Sequence, residues 1–525
     1  MGERVRGALS KNPDLPPTIP HAAEAAAQRH GDAPAIVEAG ETWSFTQLWH
    51  HARAAAAAFI AAGTARGDRI AIWAPNRRDW IVATLGAQIA GAAIVPLNTR
   101  LKGSEAGDIL RRARVSILCT VTDFLGTDYP ALIAGEDLPD LRLTLCFDRD
   151  WPAFLGLGNP DDPAVDTALA ALGPDDISDI LFTSGTTGSP KGVVSTHGRV
   201  IPMFANWIAV VDLRPGDRYL IVNPFFHLFG YKAGWVASLL QGATIYPMPA
   251  FDTEAALVHI ERDRISFIPG PPTIYQSLLA AIAIAPRDTS SLRVAVTGAA
   301  TVPPVLVERM QSELGFTTVV TGYGMTECGT ITMCRSGDPI DLIASSCGRA
   351  MPGLVVMTIA DDGTPVAPGE TGEILVRGYG VMAGYLDDPA ATAKAIDADG
   401  WLHTGDVGVL DAAGYLRITD RKKDMYITGG FNCYPAEIEK LMARHPAIEM
   451  IAVIGVADER MGEVGRAFVV VRPGQAADEP GILAWARENI ANYKVPRRVI
   501  ITADLPRNAS GKIVKTALKA LGDTA

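Results

Sequence analysis

The chain has 525 residues, 48% of them hydrophobic, with 51 glycines, 36 prolines and a formal net charge of −11 at pH 7. That length exceeds one ordinary domain, at about 150 residues each, and the composition suits a large, loop-rich α/β enzyme with an ample core. An acidic chain without a dense Lys/Arg cluster argues against nucleic acid as its main partner, so anionic ligands must be met by local basic residues. Its six cysteines are scattered, without a CxxC pair or a histidine at metal spacing. That pattern predicts a reduced, cytoplasmic protein with neither a zinc site nor a disulfide framework. The first residues lack the apolar core of a signal peptide, and the closing GDTA is no targeting or anchoring tail.

In chain order, alternating apolar strands and longer helical patterns from Pro34 to about Ile359 predict α/β layering. The Ala-rich run Arg53–Ala62 reads as a core helix. Trp80–Leu97 imitates a membrane span, but Gly86, Gln88, Gly91 and Pro96 interrupt it. A buried helix to about Ala90, then a strand Ala92–Val95, is expected instead, and no transmembrane segment. From Glu370 the text turns β-rich with Gly and Asp turns. After Arg421 a smaller α+β unit follows, with a helix near Pro435–Arg444 and strands near Glu449–Ile454 and Ala467–Val471. The expected organisation is an α/β domain of several subdomains with a β-rich portion, residues 1–420, and a small α+β domain, residues 421–525.

Ile180–Thr196 reads ILFTSGTTGSPKGVVST. An apolar run stops in Thr183, Ser184, Gly185, Thr186, Thr187 and Gly188, followed by Lys191 after a proline. Glycines let a backbone approach a ligand and turn N–H groups inward, hydroxyls add donors, and the lysine brings a full charge. A phosphate chain needs all three. The spacing is not that of the Walker loop, because Lys191 follows Pro190 and precedes Gly192. Further along, Thr321–Gly329 reads TGYGMTECG. Gly322 and Gly324 flank Tyr323, whose ring can stack on a base, and Met325 and Thr326 lead to Glu327. A hard cation such as Mg²⁺ takes one or two carboxylates plus substrate phosphates, which suits Glu327, with the Thr183 hydroxyl as a second candidate. In DRKKDMYITGGFNCY, Arg421 can reach ribose or phosphate oxygens, and Gly429-Gly430 admits a slender ligand.

TSGTTG-x-PKG, YGMTE, TGD, DRKKD and PxxxxGK, in this order, resemble the adenylate-forming superfamily of acyl-CoA synthetases, carrier-protein-loading adenylation domains and firefly-type luciferases. That resemblance implies a mobile C-terminal domain hinged near Lys423, ATP and coenzyme A as co-substrates, and Mg²⁺. It assigns Asp406 to the ribose, Ala299 and Ala300 to the adenine wall, and Lys512 to the adenylation step. Around the acyl pocket it assigns His227 and Tyr231 to a gate between acid and thiol, with Gly298, Cys328 and Gly329 lining the wall. A lysine so placed is also open to a protein acetyltransferase, and a homodimer is a further assembly the reading admits.

Over essentially its whole length the chain resembles actinobacterial ligases that activate the bicyclic propanoate left from steroid C and D rings. The segment CGTIT departs from that group, and an aryl-propanoate or a medium-chain fatty acid would also suit a small-residue apolar pocket. Two other readings stand beside an ATP-dependent acid–CoA ligase: a stand-alone adenylation enzyme that loads a carrier protein or forms an amide, and a catalytically silent nucleotide-sensing module. Intact Lys191, Glu327, Asp406, Arg421 and Lys512 speak against the last.

Overall fold

The computed structural model describes residues 15–183, 190–298, 302–421, 424, 426–428, 431–433, 435–458, 461–490, 494–507 and 513–522. Contacts divide the chain into two compact units: Met1–Val355 with Val376–Leu402, and Val356–Leu375 with His403–Ala525. The expected boundary at residues 420–423 falls inside the second unit.

In the first unit, two large sheets are interleaved with helices, the α/β layering read from the alternating pattern. The seven-stranded sheet has a parallel centre of Ala93–Pro96, Arg69–Trp73, Ile117–Thr120 and Leu143–Cys146. Residues 70–73, 93–96 and 117–120 are buried on both faces, as strands covered by helices on either side must be. One edge carries the antiparallel hairpin Ile177–Thr183 and Lys191–Thr196, extended by the short strand Gly384–Tyr385. The nine-stranded sheet is parallel through Thr244–Pro247, Arg218–Ile221, Phe267–Pro269, Val294–Gly298 and Thr318–Met325. It then turns antiparallel at Gly329–Met333.

Local chemistry sets these elements. Ser44 and Gln47 form a reciprocal capping box that starts the helix Phe45–Ala61, satisfying two otherwise orphaned backbone donors. Its alanines let the helix Arg78–Ile89 approach so closely that a Cβ on Gly86 would lie 2.5 Å from the Ala55 Cβ. Gly91, at φ +86°, ends that second helix region, and the strand Ala93–Pro96 follows. The span-like stretch is therefore core helix, turn and buried strand. Among the described residues no helix is long and apolar enough to cross a membrane.

In the second unit, Leu402–Leu410 pairs antiparallel with Leu416–Arg421, setting Asp406 opposite Arg421. Beyond it lies a sheet of Tyr426–Thr428, Phe431–Cys433, Ile448–Asp458, Gly462–Val471 and Arg498–Ile501. Two separate apolar clusters form its cores. One gathers Ile438, Met442, Ile482 and Ala486 from the helices Pro435–Met442 and Glu479–Asn489; the other includes Leu518 of the helix Lys515–Gly522. This is the α+β unit expected after Arg421.

Candidate active site

The sheet-edge hairpin places the start and end of the Ser/Thr/Gly run side by side. Thr183 pairs with Lys191, and the Thr183 hydroxyl reaches the Lys191 carbonyl at 3.4 Å. Arg112 closes the neck from outside: its guanidinium donates to the Pro190 carbonyl at 2.8 Å and lies 5.4 Å from the centre of the Phe182 ring. The intervening Ser184, Gly185, Thr186, Thr187 and Gly188 lie outside the described residues.

At the mouth of this neck three side chains meet. The Lys191 ammonium sits 4.7 Å from the centre of the Tyr385 ring, and the Tyr385 hydroxyl donates to Oε1 of Glu327 at 3.0 Å. Backbone bonds tie the parts together: Met382 N–H to the Glu327 carbonyl (2.7 Å), Ala383 N–H to Val194 (2.9 Å) and Leu386 N–H to Gly192 (2.7 Å). Burial, reinforced by the neighbouring Glu327 charge, pushes the Tyr385 phenol well above its ordinary range, so it stays a donor. Glu327 is itself buried, and among the described residues no donor reaches its second oxygen. Among the described residues this carboxylate has one anchored and one open oxygen beside the neck of the Ser/Thr/Gly run, donor chemistry that would suit a hard cation such as Mg²⁺.

A glycine-rich stretch of paired strands adjoins this corner. Gly298 pairs with Gly322, Gly324 with Thr330 and Met325 with Gly329. A Cβ on Gly298 would stand 3.0 Å from the Gly322 carbonyl oxygen, and one on Gly324 only 2.3 Å from that of Gly329. Here glycine is required by close backbone approach, because the neighbouring backbone already fills the space a Cβ would need. Tyr323 and Thr326 are half-buried along the same strand and turn. Cys328 is buried; a Cβ on Gly380 would come 3.4 Å from its sulfur and 2.3 Å from Met203 Cε, so all three pack together. Burial, with the Glu327 charge beside it, raises the Cys328 thiol to about 12 and keeps it neutral.

Asn76 tethers the aromatic segment that precedes His227. Its side chain donates to the carbonyls of Ile221 (3.2 Å) and Asn223 (2.9 Å) and accepts from Phe225 N–H (2.7 Å). His227 is exposed and caps the following turn, its Nδ1 accepting from Phe229 N–H at 3.2 Å. Tyr231 is fully enclosed, stacked on Trp235 and edge-on to Trp80, with Gln88 donating to its hydroxyl at 3.0 Å. Tyr231–Val236 forms a π-helical turn. It carries Lys232 into the core, where the ammonium meets Asp179 at 2.8 Å and the Ser195 hydroxyl at 3.0 Å. Asp179 and Ser195 stand on the two strands of the Thr183–Lys191 hairpin, so this ion pair joins the π-helical turn to that hairpin.

In the second unit, Asp406 is buried, and its amide donates to the Thr404 hydroxyl at 3.1 Å. Thr404 in turn bonds the Ile374 carbonyl at 2.8 Å, and Gly405 between them is at φ +69°. The register of this strand against Leu416–Arg421 shifts just after the carboxylate, between Val407 and Gly408. Ala299, Ala300, Lys423, Gly429, Gly430 and Lys512 lie outside the described residues, as does the Arg421 side chain.

Three parts of this arrangement have no sequence signal of their own. Tyr385 sits in GYLDDP like any strand-end tyrosine, and only the pairing of Val193 with Tyr385 brings it to Lys191 and Glu327. Arg112 reads as a helix-end cation. Lys232 and Asp179 stand 53 positions apart in the chain, and nothing local announces that they meet.

Residues 23–386 match the AMP-binding enzyme family and residues 437–512 the AMP-binding enzyme C-terminal domain. A (7a-methyl-1,5-dioxo-octahydro-1H-inden-4-yl)propanoyl:CoA ligase of Rhodococcus jostii is 48% identical over 96% of this chain and 99% of its own. The Mycobacterium tuberculosis ligase of the same description is 51% identical, with the same two coverages of 96% and 99%. The crystal structure of ATP-bound MatB from Rhodopseudomonas palustris superposes with a TM-score of 0.87 at 28% identity, over 96% of this chain and 99% of MatB. The chain belongs to the AMP-binding enzyme family.

Proposed function

We propose that this chain is an AMP-forming acid–thiol ligase that joins a bulky cyclic propanoic acid to coenzyme A. In the first half-reaction a carboxylate oxygen of the acid attacks the α-phosphorus of ATP and pyrophosphate leaves. In the second, the thiol of coenzyme A attacks the acyl carbon, and AMP departs with the bonding pair. Negative charge builds on the α-phosphoryl and pyrophosphate oxygens, and preplaced cations and donors stabilise it. The observation that carries this reading is the meeting of Lys191 and Glu327 through Tyr385 at the neck of the phosphate loop.

Lys191 and the loop N–H groups would face the phosphates, Glu327 would hold Mg²⁺, and Asp406 and Arg421 would take the ribose. Bound Mg²⁺ supplies charge neutralisation on the phosphate oxygens. Lys512 would serve adenylation only, and Lys423 would be the hinge about which the C-terminal domain turns between half-reactions. No serine–histidine pair is needed, because the mixed anhydride is already activated towards a thiol. Support for the bicyclic acid comes from the two ligases that are about half identical to this chain along nearly its whole length. A panel of acids tests it with ATP, Mg²⁺ and coenzyme A. The methyl-dioxo-octahydroindenyl propanoate is expected to give the highest kcat/KM, and a higher value for an aryl-propanoate or a medium-chain fatty acid would overturn the assignment.

A further inference from the structure

Tyr385 touches both groups assigned above to the nucleotide and its cation, yet nothing in the chemistry of adenylation calls for a phenol there. Its backbone is held by the sheet edge and by an anchored threonine. Val193 pairs with it across the sheet edge, its N–H donates to the Thr392 hydroxyl at 2.8 Å, and that hydroxyl is anchored on the Asp388 carbonyl at 2.8 Å. From this fixed ring the hydroxyl takes Oε1 of Glu327, and the face meets the Lys191 ammonium. An outer hydrogen bond to a ligating carboxylate orients it, and its loss typically weakens metal binding. A cation over an aromatic face is held without being neutralised, which leaves its charge available to an arriving phosphate.

We propose that Tyr385 is a positioning residue of the nucleotide site: its hydroxyl fixes Glu327 so that the free oxygen faces the cation, and its ring parks Lys191 at the mouth of the phosphate loop. This rests on the reading of Glu327 as the metal ligand and Lys191 as a phosphate contact.

The test uses the full-length enzyme saturated with α,β-methylene-ATP, which cannot release pyrophosphate, and Mn²⁺ followed by electron paramagnetic resonance. Tyr385→Phe keeps the ring and loses the hydroxyl. It is expected to raise the Mn²⁺ dissociation constant by about 10-fold, within the range typical of outer-shell losses. Tyr385→Leu, lacking the ring as well, is expected to weaken metal-free nucleotide binding, which Tyr385→Phe leaves unchanged. Mn²⁺ affinity in Tyr385→Phe equal to or tighter than wild type overturns the inference. Glu327→Gln separates the two levels. If it too leaves Mn²⁺ affinity unchanged, the metal reading itself fails; if it alone weakens binding, only the role of Tyr385 fails. Should Tyr385→Phe also lower the thermal midpoint, the double variant decides: an effect no larger than that of Glu327→Gln alone places Tyr385 upstream of Glu327, and additive effects overturn it.

Discussion

Cys328 and Glu327 are neighbours in the chain with opposite fates. The thiol packs against Met203 and Gly380 and stays neutral, whereas the carboxylate has, among the described residues, a donor on one oxygen only. Thiolate is the reactive form, so a thiol raised to about 12 reacts slowly with alkylating agents at neutral pH. Iodoacetamide is expected to leave Cys328 unmodified in the folded protein under conditions that label it after unfolding, as peptide mass spectrometry can determine. At Lys512 the expectation concerns division of labour. Lys512→Ala should lower adenylate formation by about 100-fold or more, the usual cost of losing a group aimed at developing charge, while thioester formation from supplied adenylate stays within a few-fold. Equal loss in both half-reactions would contradict this. At this scale the sequence named Lys191, at the end of a Gly/Thr loop, and the carboxylate of Glu327 as candidates by residue type alone. It was silent on Tyr385, because a tyrosine's partners are chosen by the sheet and not by its neighbours in the chain.

Among the elements, the hairpin carrying Thr183 and Lys191 is secured by two devices, Arg112 outside and the Lys232–Asp179 pair inside. The ion pair is almost wholly removed from water, at 3% and 0% side-chain exposure. Removing one member strands the other charge in the core, typically a loss of about 3–5 kcal/mol, whereas replacing both by apolar groups is often tolerated. Lys232→Met is therefore expected to lower stability by about that amount in denaturant titrations, and Lys232→Met with Asp179→Leu to recover most of it. Full stability in the single variant would show that the pair is expendable. Lys423→Pro tests the proposed hinge. Proline fixes φ and removes an N–H, so adenylation should persist while thioester formation falls. Wild-type overall turnover would rule that hinge out.

Elements were legible where periodicity and punctuation agreed. The helix Pro435–Met442 and the strands Ile448–Asp458 and Gly462–Val471 lie where the pattern after Arg421 indicates, and Gly91 divides helix from strand in the span-like stretch. The short strand Gly384–Tyr385 was not, since two residues carry no periodicity and exist as a strand only through Val193 and Val194.

For the molecule as a whole, one buried imidazole links the start of the described chain to the sheet that carries the Thr183–Lys191 hairpin. His197 opens the helix that follows the hairpin, and its Nδ1 accepts from Ile19 N–H of the first helix at 3.3 Å. Burial pushes its pKa from 6.5 to about 3. The folded state thus binds this proton more weakly than the unfolded state. Its contribution is complete above pH 6.5 and is lost as pH falls towards about 3, costing about 2 kcal/mol by about pH 5. His197→Asn, which keeps an acceptor but cannot titrate, should flatten the acid limb of thermal midpoint against pH; an unchanged slope would show that His197 is not responsible.

An AMP-forming ligase cleaves ATP between its α- and β-phosphates to drive thioester formation. The most direct measurement follows nucleotide and acyl products together, with the methyl-dioxo-octahydroindenyl propanoate, Mg·ATP and coenzyme A. AMP, pyrophosphate and acyl-CoA are expected in equal amounts, with pyrophosphate release requiring the acid even when coenzyme A is withheld. ADP and inorganic phosphate as products, or AMP formed without any thioester in the presence of coenzyme A, would contradict it.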